Sequence, residues 1–223
     1  MNAEAFLAVV VPVLVLVCAV AVALYWISRR QEEGDVWRAA AETLGLQLLG
    51  RGESSGPAMG STVRPALNEL RGVLEGVEVR MTREVGLGLE VRETWGEVRF
   101  APLPAGLVVR PAGVGTALRT MLDGAGPQTG DEAFDRVFAV ESDGVEGLAA
   151  LTAEARAALR RVMTFAETLE LRGDALRWRA PSEPRDAAQL VEMARATAAV
   201  GRAFGGGVVL GVIAERAEAR QSA

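Results

Sequence analysis

Residues Ala5–Ser28 read AFLAVVVPVLVLVCAVAVALYWIS and contain no charged side chain. At about 1.5 Å per residue, a helix of that length exceeds a hydrocarbon core of roughly 30 Å. Leu, Val, Ile and Phe dominate the run, which favours insertion into lipid. Pro12 is tolerated at membrane depth, where it can bend a helix. Tyr25 and Trp26 stand where an aromatic belt belongs, and Arg29 and Arg30 follow at once. The stretch therefore predicts a retained single-pass transmembrane helix in contact with membrane lipid through residues 5–28. A cleaved signal peptide needs a basic leading segment and a shorter apolar core. Here Glu4 precedes the run and no Arg does. A lipoprotein site at Cys18 is disfavoured because Val17 is large and the apolar run continues past it.

Positive charge lies on the C-terminal flank, so the positive-inside rule predicts an inner (cytoplasmic) membrane protein with a cytoplasmic C-terminal domain. That part carries 28 acids, once Glu4 is set aside, against 24 Arg. Mild acidity gives no electrostatic reason to bind nucleic acid.

Composition excludes much chemistry. All 24 basic residues are Arg, and the chain has no Lys and no His. Without His there is no Ser-His-Asp triad, Cys-His pair or imidazole metal site. Without Lys there is no P-loop lysine or Schiff base. The single Cys, Cys18, lies in the apolar run, so neither an internal disulfide nor a zinc ribbon is available. Catalysis would have to use carboxylates, hydroxyls, Arg or backbone groups. The expectation is a chain that is not an enzyme and needs no cofactor.

After the anchor (residues 1–30), QEEGD (31–35) reads as a short polar link, within a stretch, 31–66, predicted to hold a juxtamembrane helix and a Gly/Ser/Pro-rich linker. Asp35 reads as an N-cap, with Val36, Trp37, Ala40, Ala41 and Leu44 on one face and Gly45 as the stop. Trp37 is expected to dock on the domain. A globular domain over 67–204 follows. Alternation over Leu70–Leu74 and Val77–Met81, with Glu75-Gly76 between, predicts a tight hairpin. A second hairpin is predicted around Trp95-Gly96, with Leu89 and Val91 on one strand and Val98 and Phe100 on the other. AGLVVRP adds a strand, and Thr116–Asp123 a short helix. Helices capped by Thr152 and Asp186 flank a hairpin at Gly173-Asp174. The fold class is α+β: a transmembrane helix, then a mainly antiparallel sheet with two longer helices packed on it. Residues 205–223 read as a Gly-rich segment and a charged tail.

The stretch QTGDEAFDRVFAV (128–140) concentrates Asp131, Glu132 and Asp135 around Phe134 and Phe138. On one helical face the acids could bridge a divalent metal, but the order lacks that of a calcium loop. The favoured reading is structural: Thr129-Gly130-Asp131 has turn chemistry, and the two Phe enter the core. Arg156, Arg160 and Arg161 fall near one side of a helix, where they could meet lipid phosphates or simply face solvent.

The order W…A…LGL, LPAGLVVRP, TGDEAFDRVFAV and LTAEARAALRR resembles an uncharacterised family of bacterial single-pass membrane-anchored domains. Its TGDxxFDxxF signature corresponds here to Gly130, Asp131, Phe134, Asp135 and Phe138 after Thr129. The resemblance covers residues 36–200 and implies no catalytic residue. The functional expectation is a membrane-tethered, non-enzymatic module that binds a protein partner. The alternatives are a carboxylate-based metal enzyme at Asp131, Glu132 and Asp135, or a lipid- or ligand-sensing module.

Overall fold

The computed structural model describes residues 3–50, 66–85, 92–113 and 126–205, with their side chains except at 3–12, 26–33, 66–67, 85 and 92. Helix α1 (Ala3–Leu44) is 42 residues long and leads into a short strand, β1 (Gln47–Leu49). Strands β2 (Ala66–Leu74), β3 (Val77–Val85), β4 (Arg92–Arg99) and β5 (Val108–Pro111) follow. Next come the one-turn helix α2 (Glu132–Asp135), β6 (Phe138–Glu141), α3 (Val145–Ala150) and α4 (Ala153–Val162). The hairpin β7 (Thr168–Arg172) and β8 (Ala175–Ala180) and the helix α5 (Ala187–Ala203) complete the order. The eight strands form one antiparallel sheet in the order β1-β2-β3-β4-β8-β7-β5-β6. The chain is thus α+β, with helices packed on a large antiparallel sheet.

Turn chemistry sets the hairpins. Glu75 and Gly76 both take positive φ, 53° and 84°, which twists the two-residue β2–β3 turn to match its strands. In the β7–β8 hairpin, Leu169 faces Trp178 and Leu171 faces Leu176, as their alternation predicts. Leu70, Val77, Val79, Met81, Val98, Leu171, Leu176 and Trp178 are buried together in the core. α5 lies so close to the sheet that a Cβ on Gly201 would stand 2.4 Å from Val77 Cγ1 and 2.6 Å from Val98 Cγ2. α5 packs against both α1 and α4. Its burial therefore extends well round its surface, from Leu190 and Met193 to Ala196, Thr197 and Val200.

Several expectations are corrected. Residues 31–35 are not a polar link, because α1 runs through them without a break. Gln and Glu are good helix formers, and extending a formed helix adds a hydrogen bond for each residue ordered. Asp35 is therefore no N-cap; it pairs with Arg38 at 2.7 Å on the exposed side. Trp37 docks on the domain as expected and is fully buried with Ala40 and Ala41. α1 ends where predicted: Gly45 takes φ 65°, and the Leu46 N–H donates to Ala41 O at 3.0 Å.

Trp95-Gly96 is not a turn but the middle of β4, where Gly96 pairs with Met81 on one side and Trp178 on the other. Glycine is required there because the Trp178 indole lies directly over its Cα. Strand β1 and helix α3 are additional elements, too short for their periodicity to register. Leu89, Val91, the helix predicted over Thr116–Asp123, the linker over 51–65 and the tail beyond Gly205 lie outside the described residues.

Candidate functional site

The TGDxxFDxxF stretch is a hydrogen-bonded knot. Gly130 takes φ 79°, a conformation open to glycine, and this turns the chain into α2. Asp131, with extended backbone, is the N-cap: its Oδ1 accepts from the Phe134 N–H at 3.1 Å. Asp135 Oδ1 accepts from the Thr129 N–H at 3.1 Å and from Thr129 Oγ1 at 2.8 Å. The Thr129 hydroxyl in turn accepts from the Asp131 N–H at 3.3 Å. Phe134 and Phe138 are buried and stack, with centroids 4.5 Å apart and 26° between their planes.

The knot also reaches α4. Arg156 Nε donates to Asp131 Oδ2 at 3.2 Å, and Arg160 Nη1 stands 3.5 Å from Oδ1. Arg156 Nη1 donates to Leu151 O at 2.7 Å, just before the Thr152 cap of α4. The Phe134 N–H holds the Asp131 carboxyl below its ordinary value, helped by Arg160 and Arg156 and opposed by desolvation, which is second only to the Phe134 bond. Arg161 turns elsewhere and pairs with Glu192 of α5 at 2.6 Å.

The three acids do not converge. Asp131 is engaged with guanidinium groups, Asp135 with Thr129, and Glu132 is exposed. Among the described residues, no group of three His, Cys, Asp or Glu is placed to hold a metal ion. Asp135 spends one carboxylate oxygen on Thr129. The Arg cluster of α4 is likewise committed within the fold, to Asp131 and Glu192.

A feature that sequence reading passed over is the charged ladder formed by alternate sheet residues. Arg80 donates from Nη2 to Glu69 Oε2 at 3.0 Å, and its Nε stands 2.8 Å from Oε1 as an ion pair without the alignment of a hydrogen bond. Arg71 holds Glu78 through Nε at 3.0 Å and Nη2 at 2.8 Å. Arg179 links Glu93 at 3.2 Å with Glu167 at 2.7 Å, and Arg110 donates to Glu170 at 2.9 Å. Glu69, Thr82 and Glu84 are fully buried. The signal was present in the sequence: Glu69 and Arg71 on β2, Glu78 and Arg80 on β3, and Glu97 and Arg99 on β4 each flank one apolar residue. Paired carboxylates and guanidinium groups neutralise one another, so the ladder offers structure and charge pattern rather than a nucleophile.

The third feature is the N-terminal part of α1. Residues 13–25 are all exposed, including Val13, Leu14, Val15, Leu16 and Val17 at 53–64%. Those five consecutive residues wind through more than a full turn, so the helix presents apolar side chains on every side. Among the described residues, no helix is long and apolar enough to cross a membrane. The apolar part of α1 described side chain by side chain covers residues 13–25, about 20 Å of helix. Tyr25 is exposed, while the side chains of Trp26, Arg29 and Arg30 lie outside those described.

No family model and no curated relative matches the chain. Among solved structures, it is similar to the crystal structure of the mycobacterial trehalose monomycolate transport factor A, TtfA. The TM-score is 0.50 at 14% sequence identity, over 77% of this chain and 94% of that one. At this identity the likeness speaks for the fold alone.

Proposed function

We propose that the chain is a membrane-tethered, non-enzymatic interaction domain, held in the inner membrane by residues 5–28 with its folded body in the cytoplasm. The observation that carries this reading is the girdle of exposed Val and Leu around α1 from Val13 to Val17. Left in water, such a surface exceeds what soluble monomers expose in one patch. Lipid is the solvent that suits it, and the uncharged run extends through Ala5–Ser28. Arg29 and Arg30 support the cytoplasmic placement of the body.

The absence of His and Lys, and the engagement of Asp131 and Asp135 within the fold, support a binding role over catalysis. Tethering raises the effective concentration of such a domain near other membrane proteins. The bacterial family resemblance carried by Gly130, Asp131, Phe134, Asp135 and Phe138 agrees with a tethered domain.

The test is carbonate washing of membranes followed by protease protection. Retention in the membrane pellet, with the body cleaved only from the cytoplasmic side, is expected. Release of the full-length chain into the aqueous fraction would remove the proposal. Crosslinking pull-down from membranes then asks for a stable protein partner.

A further inference from the structure

Anchors joined to a body through flexible linkers let the body wander over a range set by linker length. α1 is built otherwise. Ser28, the last residue of the uncharged run, and Gly34, which is half-buried, are about 9 Å apart along it. Helical structure is continuous between them and onward to Leu44. The docked end is held firmly: Trp37, Ala40 and Ala41 are buried, and α5 packs against α1. The Gly45 turn closes the helix, and Leu46 beyond it is buried so tightly that a Cβ on Gly72 would stand 2.9 Å from its Cδ2.

We infer that α1 is a hinge-free strut, so that the apolar segment and the folded body tilt and turn as one object. The inference deepens the tethered-domain reading, on which its biological sense rests, while its test does not depend on that reading. A strut this short, about 9 Å, sets the body against the outer side of the headgroup layer, which occupies roughly 5–7 Å on each side of the hydrocarbon core. A partner would then meet the domain at the membrane surface in one orientation. Between Cys18 and Leu44, the single glycine, Gly34, is the one point at which backbone freedom could enter from composition, Pro12 lying nearer the N-terminus. A Cβ there would meet nothing within 4 Å, so Gly34→Ala is sterically free.

The native Cys18 permits a direct measurement. The full chain carrying Asp174→Cys is spin-labelled at residues 18 and 174, in detergent micelles and in lipid nanodiscs, and the interspin distance distribution is recorded by pulsed EPR. A reference pair within the sheet, Gln47→Cys with Asp174→Cys in a Cys18→Ala background, sets the width expected of a rigid body. A variant with five Gly/Ser residues inserted after Glu33 sets the width of a hinged one. The strut predicts a distribution for 18–174 as narrow as the reference, unchanged by Gly34→Ala and broadened by the insertion. A width for 18–174 equal to that of the insertion variant overturns it. Carbonate extraction of cell membranes carrying the same variants reads the membrane proposal separately, since a rigid rod gives the narrow distribution in micelles whether or not the chain resides in a bilayer.

Discussion

Gly96 lies beneath the indole of Trp178, so close that a Cβ on it would stand 2.2 Å from Cε2. The indole Nε1 donates to Thr197 Oγ1 at 2.9 Å, which joins β4, β8 and α5 at one point. The consequence is a site that tolerates no added atom. Gly96→Ala is expected to destabilise the full chain in detergent by about 1–3 kcal/mol, the usual range for overpacking a close-packed core. Denaturant titration followed by Trp fluorescence measures it; an unchanged midpoint would show that the ring can move aside.

The same bond makes a second prediction. Thr197 Oγ1 accepts from the indole and donates to Met193 O at 2.7 Å. Thr197→Val keeps the volume but leaves a buried indole N–H without a partner, which costs about 1–3 kcal/mol. Thr197→Ser keeps the hydroxyl and is expected to retain most of the stability that Val loses. Equal destabilisation by the two substitutions would assign the effect to packing instead.

Asp131 predicts an acid dependence of stability. Its carboxyl titrates below its ordinary value of 3.8 in the folded chain, chiefly through the Phe134 N–H and then through Arg160 and Arg156. A depressed folded value means stability that is present above pH 3.8 and is lost as pH falls through the lower, folded value. Asp131→Asn removes that dependence, so variant and parent are expected to converge in stability as pH drops from 5 to about 2. Parallel pH profiles would show that the carboxylate does not contribute through its charge.

Leu16 tests the lipid-facing girdle. Leu16→Arg places a cation near the middle of the uncharged run, a change worth roughly 2.5–3.5 kcal/mol against insertion. Carbonate extraction is expected to release a larger share of this variant, while the circular dichroism of the body stays the same. Leu16→Phe serves as the neutral control. Identical retention of the Arg variant would mean that α1 is held by something other than lipid.

By itself, the sequence determined the features that rest on local chemistry or on composition. Hairpins at Glu75-Gly76 and Gly173-Asp174, caps at Thr152 and Asp186, and the Gly45 stop were legible because turns and caps depend on a few neighbouring residues. The missing His and Lys bounded the chemistry before any fold was known. Tertiary structure decided what depends on partners distant in the chain. Gly96 reads as a turn residue until Trp178, eighty-two positions later, is seen above it. Asp131 reads as a metal ligand or a turn acid until Arg156 and Arg160 close on it from α4. Residues 31–35 read as a linker, yet helix continuity across them is compatible with the burial of Trp37, Ala40 and Ala41 at the far end. The physical reason is common to all three: local propensities differ by about 1 kcal/mol or less, whereas burial of one large side chain contributes about 1.5–3 kcal/mol, so long-range packing settles what local preference leaves balanced.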